Sequence, residues 1–84
     1  MSDTTKTLVF ADFNLVPDLV RIRANRELSN IKGAIPVCLT MVDTELTEDE
    51  ASAFNRRFHG KYPIIYFESE WSGTKWGVIV SYET

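Results

Sequence analysis

Tyr62–Glu83, YPIIYFESEWSGTKWGVIVSYE, decides the fold. Two runs of β-branched and aromatic residues flank a short polar turn, which is the sequence form of a β-hairpin. Pro63 has no N–H to give a ladder and suits a strand start or an edge. Side chains alternate across a strand, so Ile65, Phe67, Ser69 and Trp71 share one face, and Ile64, Tyr66, Glu68 and Glu70 the other. Trp71-Ser72-Gly73-Thr74 reads as the turn, with Gly73 free to take positive φ. The return strand sets Trp76, Val78, Val80 and Tyr82 against Lys75, Gly77, Ile79 and Ser81. The apolar face is Trp76, Val78 and Val80 with Ile65 and Phe67. Ile64, Tyr66 and Ile79 make the second face partly apolar as well. A two-stranded ribbon is marginal in water, so this hairpin requires more strands and a covering helix.

Upstream of the hairpin, Leu46 to Gly60 has the clearest helix signals. Thr47 and Glu50 fit a capping box, three acids occupy the first turn, and Arg56 and Arg57 occupy the last. Gly60 stands where a helix-ending glycine belongs. Ala51, Phe54 and Phe58 form a narrow apolar stripe. Ala34 to Val42, AIPVCLTMV, is an almost unbroken apolar run and reads as a strand buried on both faces, with Pro36 marking an edge or a bulge. Lys6 to Phe13 reads as a first strand around Leu8, Val9 and Phe10. Residues 1–5 read as a polar, flexible tail.

Leu15 to Ile31 admits two readings. Val20, Ile22 and Ala24 alternate with Arg21 and Arg23 as in a half-buried strand. Read as a helix, the stripe Leu15, Leu19, Ile22 fails at Arg26 and Ser29, whereas Val20, Ala24, Leu28 and Ile31 form a better one. Val16-Pro17-Asp18 suits a helix start, and Gly33 suits its stop. The balance tips to a helix over 17–31. The chain is therefore expected to form one small α+β domain spanning residues 1–84. Its mixed or antiparallel sheet would have four or five strands, with one or two covering helices.

Composition narrows the function. Of 84 residues, 44% are hydrophobic and 25% charged, as in an ordinary soluble domain. A net charge of −3 argues against a strongly basic nucleic-acid binder and falls far short of a polyanionic mimic. One cysteine excludes an internal disulfide and a multi-cysteine zinc site. There is no long apolar span and no leader pattern, so the expectation is a cytoplasmic protein without membrane contact.

Candidate chemistry is sparse. Cys38, between Val37 and Leu39, has no neighbour to stabilise a thiolate and reads as buried and structural. His59 is the only histidine; beside Arg56, Arg57 and Lys61 it reads as a helix cap or surface residue whose pKa those cations lower. Asp43, Glu45, Glu48, Asp49 and Glu50 are explained first by helix capping, and otherwise by an acidic patch that meets a basic partner. No phosphate loop, nucleophile elbow or ligand spacing appears, so no enzyme activity, cofactor or metal is implied. The expectation is a small binding protein that regulates or inhibits a protein partner by surface contact, in the style of a phage or mobile-element accessory protein. Its contact surface would comprise Trp71, Trp76, Tyr62 and Tyr66 with Glu45, Glu48 and Asp49, aromatic rings being strong interface anchors. The competing reading of the tryptophans is a cross-strand pair that stabilises the hairpin. The alternative function is nucleic-acid binding through Arg21, Arg23 and Arg26 merged with Arg56, Arg57 and Lys61. A free hairpin edge also allows a homodimer.

Overall fold

The structure is a computed structural model and describes residues 6–84; the reading of 1–5 as a flexible tail lies outside them. The elements are β1 (Thr7–Phe10), a 3-10 turn (Phe13–Leu15), α1 (Asp18–Leu28), β2 (Ile35–Val42), α2 (Glu48–Phe58), β3 (Ile64–Trp71) and β4 (Thr74–Glu83). The four strands form one antiparallel sheet in the order β1-β2-β4-β3, an α+β architecture.

The hairpin forms as its pattern requires. Ile65 faces Val80, Phe67 faces Val78, Ser69 faces Trp76, and Trp71 faces Thr74 across the turn. Ser72 and Gly73 have φ of 54° and 77°. Two successive positive φ values make a turn whose twist matches that of the strands it joins. β2 lies against β4 with a register shift between Pro36 and Cys38, so the proline is accommodated at a bulge.

The ambiguous segment is helical. Val20, Ala24 and Leu28 are its buried residues, while Leu19 and Ile22 are 67% and 59% exposed. The strand-like alternation arises because α1 is apolar on two sides and only one faces the core. Gly33 is not the helix stop. Ser29 caps the helix, and Gly33 lies beyond it with φ of 76° in a turn closed by Ala34 N–H donating to the Ile31 carbonyl.

Opposite partners on an antiparallel sheet share a face, so the register sorts the side chains. One face carries Leu39, Met41, Val78, Val80, Phe67 and Trp76, and these join Val16, Val20, Ala24 and Leu28 in a single core. The other face carries Thr40, Val42, Gly77, Ile79 and Ser81. There α2 is held by Asn55 and His59: Ser81 Oγ donates to Asn55 Oδ1 at 2.5 Å, and His59 Nε2 lies 2.5 Å from Thr40 Oγ1. The two helices thus cover opposite faces of the sheet. Thr47 caps α2 through a complete capping box: Glu50 N–H donates to Thr47 Oγ1, and Thr47 N–H to the Glu50 carboxylate.

Gly77 lies inside β4, and a Cβ there would stand 2.7 Å from the Thr44 carbonyl oxygen and 3.0 Å from Leu46 Cδ1. The segment entering α2 crosses the sheet at that point.

Candidate partner-binding surface

β3 is an edge strand, eight residues long and paired on one side only. The direction of its free groups follows from the register. Tyr82 N–H donates to the Pro63 carbonyl at 3.1 Å, so the Pro63/Tyr82 pair is a hydrogen-bonded one. Hydrogen-bonded pairs recur at every second residue of an antiparallel ladder. Ile65, Phe67, Ser69 and Trp71 therefore direct their backbone groups toward β4. Ile64, Tyr66, Glu68 and Glu70 direct theirs outward.

α1 overhangs this edge. Leu19, Ile22, Arg23 and Arg26 from the helix and Glu68, Ser69 and Glu70 from the strand line a groove of about 290 Å³. Arg23 spans the two elements: its guanidinium stands 5.1 Å from the centre of the buried Phe67 ring, and its Nε donates to Glu27 at 3.0 Å. Leu15, in the turn before α1, is also exposed, at 69%. Isolated exposed leucines are common, but a cluster of large apolar side chains beside a groove marks an interaction surface.

The residues expected at the contact surface are divided by the fold. Trp76 is 6% exposed and belongs to the core, so its ring is not available to a partner. Its indole Nε1 donates to the Trp71 carbonyl at 3.2 Å, and the two rings lie 5.8 Å apart at 55°. They form the local hairpin pair that the competing reading describes, with Trp71 half-buried. Tyr66 is 42% exposed on the outer strand, and Tyr62 is half-buried in the loop before it, where its carbonyl accepts from Asn55 Nδ2. Glu45, Glu48 and Asp49 are exposed at the start of α2, with Glu50 engaged in the cap.

The arginines do not merge. Arg21, Arg23 and Arg26 lie on α1, and Arg56, Arg57 and Lys61 lie at or just after the end of α2, across the sheet from them. Arg21 donates to Asp18 at 2.6 Å, and Arg23 is paired with Glu27. Arg57 lies 5.4 Å from the centre of the Phe58 ring.

His59 caps α2 but is not a surface residue. It is half-buried, and burial holds its pKa below the ordinary value, while a hydrogen bond with the Phe58 backbone pulls the other way. Desolvation of the charged ring, and not repulsion from the neighbouring cations, sets the direction. Cys38 is half-buried at the bulge instead of fully enclosed; its Sγ lies 3.9 Å from the Ala11 carbonyl oxygen, and burial raises its pKa. A thiol held protonated is a poor nucleophile. Among the described residues no group of three or more His, Cys, Asp or Glu side chains is placed to hold a metal ion, and no helix is long and apolar enough to cross a membrane.

Comparison of the chain with protein-family models, with curated proteins and with solved structures finds no match in any of the three. The functional reading therefore rests on the geometry alone.

The α1–β3 surface escapes a reading of the sequence for an identifiable reason. Leu19 and Ile22 look like core residues in any helix, and only the packing of Val20, Ala24 and Leu28 beneath α1 sends them outward. The early stripe Leu15, Leu19, Ile22 was the available signal, and its failure at Arg26 and Ser29 is what a solvent-facing apolar patch produces.

Proposed function

We propose that this chain is a small non-catalytic binding protein that regulates or inhibits a protein partner by contact through the α1–β3 surface. The carrying observation is that Leu19 and Ile22 stand 67% and 59% exposed in a groove at an open sheet edge. Large apolar side chains in contact with water gain free energy when covered, at about 25 cal/mol per Å². Anchors of this type, ringed by charged residues, give an interface its affinity. Tyr66, Glu68 and Glu70 at the free strand extend the surface, and Arg26, with no ion pair among the described residues, supplies a charge at its rim.

The test is capture from a native lysate by the wild-type chain and by a Leu19→Glu/Ile22→Glu variant. Both positions are solvent-facing, so the variant is expected to melt close to the wild type, each exposed substitution costing within about 0.5 kcal/mol. A partner held by the wild type, resistant to nuclease and lost with the variant is the expected result. A partner retained by the variant overturns the assignment of this surface. A partner removed by nuclease replaces the reading with nucleic-acid binding and turns attention to the arginines.

A further inference from the structure

We infer that the partner presents an extended segment that adds to β3 as a fifth strand, with apolar residues beneath α1 and basic residues on the opposite face. The inference deepens the reading of the α1–β3 surface as a binding site and rests on it.

Three observations converge. The outer edge of β3 offers the N–H and C=O groups of Ile64, Tyr66, Glu68 and Glu70, spaced two residues apart as a strand requires. Along its length the edge is guarded only by Pro63 at its start and by the charges of Glu68 and Glu70. The opposite edge strand, β1, has only four residues, and short edges are a common protection against pairing; β3 has eight. α1 walls the open side at residues 68–70, where its exposed Leu19 and Ile22 line the same groove.

The chemistry of the occupant follows from the alternation of side chains. On one face, an added strand brings the side chains that pass residues 68–70 beneath Leu19 and Ile22, which favours apolar residues there. On the other face, its side chains meet Tyr66, Glu68 and Glu70. Lys75 approaches Glu68 only at 3.8 Å in an exposed pair, so two acids share one loosely held base. Opposite charges directly across strands stabilise pairing, and like charges oppose it. Lysine or arginine at these positions is complementary. A second copy of β3 is less so, because it brings Glu68 and Glu70 to an edge that already carries them, on a chain of net charge −3.

The experiment uses the full chain and an eight-residue peptide of alternating lysine and valine, the length of β3, at about 1 mM. The readout is amide hydrogen exchange residue by residue. Exchange at Tyr66, Glu68 and Glu70 is expected to slow at least about 10-fold, with Phe67 and Ser69, already bonded to β4, unchanged. The exposed double substitution Glu68→Lys/Glu70→Lys is expected to weaken peptide binding about 10-fold. Unchanged exchange at the three outward amides overturns the proposal. So does equal binding of a peptide N-methylated on the amides that face β3, which leaves charge without strand pairing. Slow exchange at these amides in the absence of peptide, together with a dimer mass by light scattering, overturns it in favour of a second copy at the edge. If the Leu19→Glu/Ile22→Glu variant loses its captured partner while the wild type shows none of these exchange effects, strand addition falls and the binding-protein reading stands.

Discussion

Trp71 and Trp76 look equivalent in the sequence, two indoles flanking one turn, and packing separates them. Trp76 is enclosed by the α1-side core, while Trp71 caps it from the strand opposite. Trp76→Ala is expected to cost about 3–5 kcal/mol, as a large core truncation does. Trp71→Ala removes less buried surface and is expected to cost about 1–2 kcal/mol. Urea denaturation midpoints for the two variants check the order. His59 gives a prediction of a different kind. Its folded pKa lies below the ordinary value near 6.5. Below that value the unfolded chain binds more protons than the folded one, so stability rises with pH through this window. The His59 contribution is complete above about pH 6.5 and is lost as pH falls toward the lowered pKa. Denaturant unfolding from about pH 5 to 7.5 is expected to show a shallower slope for His59→Gln than for the wild type, because the acids contribute to both chains and His59 to only one.

At the scale of elements, local chemistry and packing contribute unequally. α2 is written into its own residues: the Thr47–Glu50 box starts it, acids and arginines match its dipole, and Gly60 with φ of 65° ends it. The hairpin is equally local, since Ser72-Gly73 sets its register. α1 is the opposite case. Its boundaries have weak signals, Pro17 provides no side-chain cap, and its pattern fits two periods. Burial against Phe67, Val78 and Val80 decides the matter, which is tertiary context overriding a local pattern. The Gly77 crossing gives the test at this scale. A methyl group at 2.7 Å from the Thr44 carbonyl forces backbone, not a flexible side chain, to move. Gly77→Ala is expected to cost about 1–3 kcal/mol by overpacking, lowering the midpoint of thermal unfolding by several degrees, although alanine has no conformational penalty in a strand.

In the whole molecule, a four-stranded sheet is covered on both faces by helices of equal length held in different ways. α1 buries aliphatic side chains against one face. α2 lies over the other, where fully buried Thr40 and Ser81 find partners in His59 and Asn55. Buried hydroxyls without partners are costly, so this second interface has a specific docking position as well as an apolar one. The same arrangement keeps the two arginine groups apart, one per side of the sheet, and leaves the outer edge of β3 and the outer side of α1 uncovered by the described residues.

The sequence by itself determined the elements that close on themselves, the hairpin and its register and the capped helix, and with them the α+β class. These depend on neighbours within a few residues, where turn dihedrals, caps and alternation act directly. Tertiary structure alone decided which apolar stripe of α1 meets the core, that Trp76 is enclosed, that half-buried His59 meets Thr40, and that a side chain at Gly77 would crowd the Thr44 carbonyl. Each of these depends on a group far away in the chain but close in space. The candidate surface belongs to the second class, since a side chain is exposed only by what fails to cover it.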